Sequence, residues 1–206
     1  MAPGTLITIE GLDGAGKTTL ADGLARELTA QGTPVRLLRE PGGVEVSERI
    51  RALVKDPALD VLPRTEALLY AAARAQLVEQ LLQPLLQQGA VVLLDRFVDS
   101  SLAYQGAGRS LGVQEVRAIN LFATGRMTPD RTLLLRISPA DGRGRQHERA
   151  LEPDRLELEG EEFFAAIASA YNALASAEPQ RIRVIDAAQP PAQVLRDALD
   201  AVADLL

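Results

Sequence analysis

The chain has 206 residues, of which 47% are hydrophobic and 24% are charged. This makeup is that of one globular domain that can bury a sizeable core, and it excludes a disordered or fibrous chain. The formal net charge of −6 leaves no overall positive field to hold a nucleic-acid backbone or an anionic membrane. We therefore expect no nucleic-acid or membrane partner, and an anionic ligand must be held by locally placed cations.

The residue types also restrict the chemistry. There is no cysteine and a single histidine, His147, which excludes disulfides, thiolate metal sites and a histidine-based zinc cluster. Catalysis must therefore depend on Lys, Arg, Asp, Glu and the backbone. No charged N-terminal segment precedes a long apolar run, and no stretch approaches the roughly 18 apolar residues that span a bilayer. We expect a soluble cytoplasmic protein.

Short apolar runs alternate with longer stretches of helical spacing. The first run, 5–10, precedes a glycine-rich turn, after which Leu20, Leu24 and Leu28 recur at helical spacing. Such alternation predicts crossover helices on a parallel sheet, and thus an α/β fold in one domain over 1–206. The remaining strands are predicted at 35–38, 91–94, 132–137 and 182–185, and further helices at 45–54, 65–88, 113–124, 161–176 and 192–206.

The glycine-rich turn carries the strongest functional signal. Residues 11–18, Gly-Leu-Asp-Gly-Ala-Gly-Lys-Thr, fit the pattern G-x-x-x-x-G-K-[ST] between a predicted strand and a predicted helix. Glycines let backbone N–H groups surround a phosphate, and a helix N-terminus adds positive charge. Lys17 is predicted to reach the β- and γ-phosphates of ATP, and Thr18 to bind Mg²⁺. The predicted ATP-binding residues are Gly11, Leu12, Asp13, Gly14, Ala15, Gly16, Lys17, Thr18 and Thr19.

A second nucleotide-binding signal lies in the third predicted strand. Four apolar residues, 91–94, end in Asp95, and in nucleotide-binding sheets such a carboxylate lies beside the phosphate loop, where it can hold magnesium. Together the two motifs indicate a P-loop nucleotide-binding protein. The sequence lacks the guanine-reading Asn-Lys-x-Asp of GTPases, and we find no signature loop of ABC-type ATPases. Transport and switch classes therefore lose support.

Six sequence blocks follow one another along the chain. They are Ile-Glu-Gly-Leu-Asp-Gly-Ala-Gly-Lys-Thr-Thr (9–19), Arg-Glu-Pro-Gly-Gly (39–43), Leu-Leu-Tyr-Ala-Ala-Ala-Arg-Ala-Gln (68–76), Asp-Arg-Phe (95–97), Ala-Tyr-Gln-Gly (103–106) and Asp-Arg-Leu-Glu (154–157). In this order and spacing the chain resembles the thymidylate kinase family nearly from end to end. The resemblance implies a P-loop nucleoside monophosphate kinase fold, with a five-stranded parallel sheet flanked by helices on both faces. It also implies transfer of the γ-phosphate of ATP to dTMP, usually by a homodimer.

The resemblance implies roles for residues on the acceptor side. Arg96 would clamp the monophosphate of the acceptor with its planar fork, and Arg39 would face the same phosphate. Tyr70 and Arg74, four residues apart on a predicted helix, would stack on the base and donate to the thymine O4. From the residues alone, Tyr70 is a core residue. The alternatives for the other two are a surface arginine paired with a neighbouring carboxylate at Arg96 and a purely structural turn at 39–43.

Three more acceptor contacts follow from the same resemblance. Tyr104 would pack where a ribose 2′-hydroxyl projects, and Ser101 and Gln105 would lie near the base. Taken without the resemblance, these are polar residues at a helix start. Asp13, inside the phosphate loop, needs a cation or hydroxyl beside it, because a carboxylate near phosphates is otherwise costly. A sugar 3′-hydroxyl or a magnesium-bound water would serve.

The stretch 138–153 is rich in charged and turn residues and poor in apolar ones, so we predict a mobile segment there. Some thymidylate kinases carry a catalytic arginine inside the phosphate loop, where this chain has Gly14. The resemblance therefore assigns the stretch to a lid that supplies the catalytic arginine, Arg149 first and Arg145 second. The other arginines of this region are Arg143 and Arg155, the latter as a holder of the lid or as a partner of Glu157.

Two other functions stay open at this stage. Another P-loop kinase, acting on dUMP or on a deoxynucleoside such as thymidine, would share most of these motifs. A nucleoside acceptor requires a carboxylate that takes its hydroxyl proton, and Glu40 is the only early candidate, whereas Arg96 with Arg39 argues for an acceptor that already carries phosphate. A nucleotide-dependent switch protein would need a water-positioning residue and a long exposed apolar patch, and we locate neither.

Overall fold

Five parallel strands form the sheet at the centre of the computed structural model, which describes residues 4–147 and 153–206. The strand order is β2-β3-β1-β4-β5, so the first strand lies in the middle of the sheet. The predicted α/β fold is confirmed, and each predicted strand agrees with an observed one to within one residue at either end. The strands are β1 (Thr5–Gly11), β2 (Val35–Arg39), β3 (Val91–Asp95), β4 (Arg131–Arg136) and β5 (Ile182–Asp186).

Helices fill the connections, because neighbouring parallel strands can be joined only by crossovers. The helices are α1 (Lys17–Ala30), α2 (Glu45–Lys55), α3 (Pro63–Leu77), α4 (Gln83–Gln87), α5 (Val98–Ser101), α6 (Val113–Ala123), α7 (Pro139–His147), α8 (Glu161–Ala177) and α9 (Pro191–Val202). Shorter turns extend α3, α5 and α9: they are π-helical at Val78–Leu82 and Leu102–Gly108, and 3-10 at Ala203–Leu205. Among the residues described, no helix is both long and apolar enough to cross a bilayer.

Helix α7 was not predicted, and it lies inside the stretch 138–153 for which the sequence predicts a mobile segment. Its start explains the difference. The Ser138 hydroxyl accepts the backbone N–H of Asp141 at 3.1 Å and lies 2.6 Å from its carboxylate, and Pro139 takes the first helical position. A serine cap with an acidic residue three positions later, and a proline at the first position, stabilise a helix start without apolar spacing.

Both faces of the sheet are covered by buried apolar side chains, because successive residues of a strand point to opposite sides. Ile7 and Leu93 belong to one buried cluster, whereas Leu6 and Leu94 belong to another. A strand buried on both faces reads as a continuous apolar run, as β3 does up to Asp95. Asp95 is thus the first polar group of β3, at the edge of the sheet where the chain leaves the core.

Candidate active site

A cleft of about 520 Å³ lies at the carboxyl ends of the strands, where open α/β sheets hold their ligands. Residues predicted for ATP, for the acceptor and for magnesium meet in this one cavity. The predicted residues that line it are Asp13, Gly14, Gly16, Lys17, Thr18, Arg39, Glu40, Tyr70, Arg74, Asp95, Arg96, Ser101, Tyr104 and Gln105. Within the described part of the chain, the predicted residues outside this lining are Gly11, Leu12, Ala15, Thr19 and Arg145.

The phosphate loop, residues 11–18, runs from the last residue of β1 into the first turn of α1. Gly14 and Gly16 have φ angles of 80° and 93°, a region that favours glycine. A Cβ atom on Gly14 would lie 2.1 Å from the carbonyl oxygen of Gly142, because α7 packs directly on the loop at this point. The contact leaves no space for a side chain at position 14, an arginine included.

Lys17 is the buried cation of the phosphate loop. Its Nζ donates to the carbonyl oxygens of Leu12 at 2.9 Å and Gly11 at 3.2 Å, and it lies 3.7 Å from the Asp13 carboxylate. Burial, assisted by the nearby Arg96, lowers the pKa of Lys17. The ammonium group is therefore held by the loop itself, and a phosphate oxygen in the cleft would offer it a stronger, charged acceptor.

Thr18 and Asp95 lie together at the floor of the cleft, as predicted for a magnesium pair. The Thr18 hydroxyl is 3.4 Å from Oδ2 of Asp95. The other oxygen, Oδ1, is buried and accepts no hydrogen bond from any residue that the structure describes. Over the same residues, no group of three or more His, Cys, Asp or Glu side chains converges on one point. One carboxylate with a spare oxygen and one hydroxyl fit Mg²⁺, which commonly binds one or two carboxylates together with substrate phosphates.

The Asp13 carboxylate accepts hydrogen bonds from protein side chains. Arg96 Nη2 donates to Oδ1 of Asp13 at 2.5 Å, and the Tyr104 hydroxyl donates to Oδ2 at 2.9 Å. Burial opposes the charged form, but Arg96 and Lys17 outweigh it and hold the pKa of Asp13 well below its usual range. Burial also raises the pKa of Tyr104 well above the usual value, so its hydroxyl keeps its proton and remains a donor. The partners of Asp13 in the structure are thus the protein groups Arg96 and Tyr104, whereas we expected a sugar hydroxyl or a magnesium-bound water there.

Arg96 connects the phosphate loop with the opposite wall of the cleft. Besides Asp13, its guanidinium donates to the Gly11 carbonyl oxygen at 3.2 Å, to Ser100 Oγ at 3.0 Å and to the Tyr104 hydroxyl at 3.2 Å. It also lies over the Tyr104 ring, 4.9 Å from the centroid. The alternative of a surface arginine is wrong, because the side chain is only 16% exposed, but the carboxylate pairing that it included is present, with Asp13.

Arg74 is 2% exposed, and its donors are taken by protein acceptors. Nε donates to Oε2 of Glu40 at 2.7 Å, and Nη2 to the Phe97 carbonyl oxygen at 2.9 Å. Nη1 donates to Ser101 Oγ at 2.9 Å and to the side-chain oxygen of Asn120. The guanidinium therefore lines the cleft in a fixed orientation, and Ser101 contacts it there.

The turn after β2 is fixed, as its sequence predicts. The peptide bond between Glu40 and Pro41 is cis, and Glu48 accepts hydrogen bonds from the backbone N–H of Gly43 and from Arg39 Nη2, both at 2.9 Å. Arg39 also lines the cleft. Burial raises the pKa of Glu40 despite its pairing with Arg74, and its Oε1 accepts no hydrogen bond within the described residues.

Tyr70 fits both of the roles that its sequence position allows. It is half-buried and packs against the apolar cluster on one side of the sheet, and it also lines the cleft. Burial raises the pKa of its hydroxyl, so the ring stays neutral. A neutral aromatic ring at a cleft wall is suited to stacking on a base.

Gln105 contacts a buried carboxylate on α3. Its amide donates to Glu66 at 2.8 Å, and Glu66 is fully buried and also accepts from Arg109 at 3.2 Å and Arg155 at 2.6 Å. The predicted pairing of Arg155 with Glu157 is therefore wrong. Arg155 pairs with Glu66 instead, because a fully buried carboxylate requires cations beside it.

Two described arginines of the stretch 138–153, Arg143 and Arg145, point in different directions. Arg143 lines the cleft, and its Nη2 donates to Glu161 at 2.7 Å. Arg145 donates to the carbonyl oxygen of Ala187, which follows β5. Arg149, predicted first as the catalytic arginine, lies outside the described residues. The catalytic roles of Arg145 and Arg149 stay predictions.

Sequence reasoning missed Arg51, Lys55 and Ser100, which also line the cleft, and one buried group close to it, Glu10. It is fully buried on β1 and contacts the segment that follows Arg96. Burial, with Asp99 nearby, raises its pKa to about 7. A signal was present, because Glu10 is the one acidic residue of the run 5–10, which is otherwise apolar or β-branched.

The central strand leads into a phosphate loop, the neighbouring strand ends in a carboxylate with a spare oxygen, and a buried arginine faces the loop lysine. This fold and cleft define a P-loop nucleotide kinase. The thymidylate kinase family model matches residues 9–198, and the chain belongs to that family. The predicted family resemblance is thereby confirmed.

Individual relatives agree over nearly the full length. A thymidylate kinase of Deinococcus radiodurans is 45% identical over 204 residues, which cover 99% of this chain and 98% of that protein. One of Leifsonia xyli is 47% identical and covers 93% of this chain and 91% of that protein. The crystal structure of thymidylate kinase from Ehrlichia chaffeensis superposes with a TM-score of 0.81 at 27% identity, covering 98% of this chain and all of that chain.

Proposed function

We propose that the chain transfers the γ-phosphate of ATP to dTMP, giving dTDP and ADP. The observation that carries this proposal is the placement of two cations. Lys17 and Arg96 both donate to the Gly11 carbonyl oxygen at 3.2 Å, and both pair with Asp13. Lys17 belongs to the phosphate loop, whereas Arg96 lies across the cleft, so each can hold a different phosphate. Two anionic substrates held in this way would meet end to end.

On the donor side, the backbone of the phosphate loop and Lys17 would bind the phosphates of ATP. Asp95 and Thr18 would hold Mg²⁺, because they offer an unpaired carboxylate oxygen and a hydroxyl at the same place. When bound, this ion neutralises charge on the β- and γ-phosphates.

On the acceptor side, Arg96 would bind the monophosphate, with Arg39 as a second cation at the wall of the cleft. The dTMP phosphate is already ionised at neutral pH, so no residue has to remove a proton from it. Asp13 has a lowered pKa and stays charged, which keeps Arg96 in place. These side chains therefore orient the acceptor and offset its charge.

Base recognition would involve Tyr70, Arg74, Ser101 and Gln105. Tyr70 would stack on the base, and Arg74 would donate to the thymine O4. Because the donors of Arg74 are already taken, O4 must replace one of its partners, and the hydroxyl of Ser101 can rotate away without a backbone change. A cytosine amino group at the same place would meet another donor, so dCMP should be rejected.

The experiment that tests the function measures ADP release from ATP and Mg²⁺ with dTMP, dUMP, dCMP, UMP or thymidine as acceptor. We expect dTMP to give the highest kcat/KM. Faster turnover of thymidine would assign a nucleoside kinase, and ADP release without any acceptor would assign a switch protein. The control for uncoupled hydrolysis is the wild-type enzyme with ATP and Mg²⁺ but without an acceptor.

Tyr104→Ala is expected to let UMP act as an acceptor. The Tyr104 ring stands beside Arg96 and packs edge-on against Phe163, with centroids 6.1 Å apart, so its removal opens space at the sugar. The ratio of kcat/KM for UMP over dTMP should rise about tenfold or more, the scale of steric discrimination in a pocket. Tyr104→Phe is the matched control, since it keeps the ring and removes only the hydroxyl that donates to Asp13. If UMP is still refused by Tyr104→Ala, sugar selection lies elsewhere.

The single thymidylate-kinase-like domain over 1–206 would close through a lid at about 138–153. The contact between Gly14 and the Gly142 carbonyl supports this proposal, because it places α7 directly on the phosphate loop. We propose that an arginine of this stretch reaches the transferred phosphate, Arg149 first and Arg145 second. Charge spreads over the transferred group in the transition state, and such a cation stabilises it.

A homodimer is proposed from exposed apolar side chains on neighbouring helices. Leu53 on α2, Leu68 on α3 and Phe122 on α6 are 47%, 56% and 92% exposed. Contacts join α2 to α3 and α3 to α6, so these helices are neighbours in the fold. Large apolar side chains exposed on adjacent helices are typical of interfaces between copies. We further propose that the enzyme works in the cytoplasm, where ATP and dTMP are available.

A further inference from the structure

Glu10 lies directly behind the acceptor arginine and is fully shielded from solvent. Its Oε1 accepts hydrogen bonds from the backbone N–H groups of Phe97 at 2.8 Å and Ser100 at 3.2 Å. Its Oε2 accepts from the hydroxyl of Ser100 at 2.5 Å and from that of Tyr171 at 2.9 Å. The ionised form, which predominates above the Glu10 pKa of about 7, offers about four lone-pair sites, and here all of them are used.

Ser100 connects this carboxylate to Arg96. Its hydroxyl donates to Glu10 and accepts from Arg96 Nη1 at 3.0 Å. A hydroxyl has one proton, so the proton given to Glu10 turns the lone pairs of Ser100 towards the guanidinium. The direction of one Arg96 hydrogen bond is thus set by a carboxylate that does not touch Arg96.

The backbone around Arg96 depends on the same strand. Arg96 has a φ angle of 69°, in the left-handed region that non-glycine residues rarely adopt. Such a conformation persists only where the neighbouring backbone is held. The N–H of Arg96 donates to the Ile9 carbonyl oxygen at 3.0 Å, and the next N–H, that of Phe97, donates to Glu10. Strand β1 therefore fixes the backbone on both sides of the Arg96 side chain.

We propose that Glu10 is a positioning residue for the acceptor phosphate, acting through Ser100 and the Phe97 N–H to fix the guanidinium of Arg96. Ser100 and Arg96 line the cleft, whereas Glu10 is absent from the lining formed by the described residues. Glu10 thus acts on the substrate only through its partners. The inference rests on the proposed role of Arg96 as the clamp of the dTMP phosphate.

Glu10→Gln is the main test. Glutamine keeps the shape and one acceptor oxygen for the two backbone N–H groups, but its amide nitrogen cannot accept from Ser100 or Tyr171. The Ser100 hydroxyl then loses its fixed orientation. We expect the KM for dTMP to rise about tenfold, with the KM for ATP changed by less than about twofold. A residue that only supports the fold would change both constants or neither.

The decisive control introduces Glu10→Gln into a variant that lacks the Arg96 side chain. In an Arg96→Ala background, assayed up to millimolar dTMP, Glu10→Gln should raise the KM for dTMP no further. An equal rise with and without Arg96 would overturn the proposal, and so would an unchanged KM in both. Thr8→Val is the matched control on β1, because Thr8 is also fully buried and its hydroxyl contacts Thr132. We expect wild-type KM values from it.

Ser100→Ala keeps the proposal testable if Glu10→Gln does not fold, as judged by thermal unfolding. It removes the hydroxyl between Glu10 and Arg96, so it should raise the KM for dTMP only when Arg96 is present. If it leaves that KM unchanged, the proposal is wrong. The wild-type enzyme in the same assay distinguishes failure of the proposed function from failure of the inference about Glu10. Without dTMP turnover there, the proposed function fails and the inference with it, whereas dTMP turnover with unaffected variants refutes the inference alone.

Discussion

Lys17→Ala is expected to lower kcat by about 10²–10³-fold, the scale measured when one preorganised donor to a developing charge is removed. Lys17 is the only lysine in the phosphate loop, and it is buried with its ammonium group aimed along the loop carbonyls. Burial disfavours the charged form of Lys17 and lowers its pKa, so the ammonium group does not stabilise the fold and we assign it to phosphate binding. The measurement is ADP release at saturating ATP, Mg²⁺ and dTMP.

A matched control for this substitution is Arg26→Ala, which removes one cation from the exposed side of the same helix, α1. We expect its kcat to equal that of the wild type within about twofold. Lys17→Arg is informative as well, because a planar fork cannot take the place of a compact ammonium group in a closed loop. A kcat for Lys17→Ala within a few-fold of the wild type would remove Lys17 from the catalytic step.

Local signals in the sequence predict most of this fold. Strand β3 is a continuous apolar run, because both of its faces are buried, and the run ends at the first polar residue, Asp95. No helix range was predicted for 98–108, although Ser101, Tyr104 and Gln105 were expected at a helix start, since a four-residue helix followed by a π-helical turn has no regular apolar spacing. Helix α7 was missed because its start depends on the Ser138 cap rather than on hydrophobic residues.

Whether a contact in the site could be predicted depends on how far apart its residues lie in the sequence. The phosphate loop is a contiguous motif, so residues 11–18 were assigned from sequence. The partners of Asp13 are separated from it by 83 residues for Arg96 and 91 for Tyr104, and no local pattern reports such contacts. Tyr171 lies 161 residues from Glu10, the carboxylate that it binds. Only the folded sheet brings these groups together, and the family resemblance predicted roles for them without predicting their mutual hydrogen bonds.

Arg96→Ala is expected to lower kcat/KM for dTMP by about 10³-fold or more, mainly through KM, with a much smaller change in the KM for ATP. A bidentate arginine on a phosphate contributes both charge and geometry, and truncating one partner of a desolvated charge pair costs about 2–5 kcal/mol. The loss has a second component here. Asp13 would remain beside the acceptor phosphate without its closest cation, so a group that now holds the arginine would repel the substrate. Steady-state kinetics with dTMP varied at saturating ATP would measure the effect.

Arg96→Ala should also lower the free energy of unfolding by an amount that depends on pH. This dependence would show that the loss involves Asp13. In the wild type the pKa of Asp13 is lowered by Arg96, so this carboxylate contributes stability above pH of about 4, and the contribution is lost as the pH falls further. Without Arg96 that contribution shrinks, and we expect a loss of about 3 kcal/mol at pH 7 that narrows on acidification. Urea unfolding at several pH values measures this difference.

Arg126→Ala is the matched control for these measurements, because Arg126 also has a left-handed backbone, with a φ angle of 66°, and is exposed to solvent. Replacing it tests whether the loss of any arginine with positive φ harms the enzyme. We expect near wild-type kinetics and no pH-dependent loss of stability. If Arg126→Ala reproduced the defect, or if Arg96→Ala kept the wild-type KM for dTMP, the acceptor phosphate would have to be held by other cations, of which Arg39 lines the same cleft.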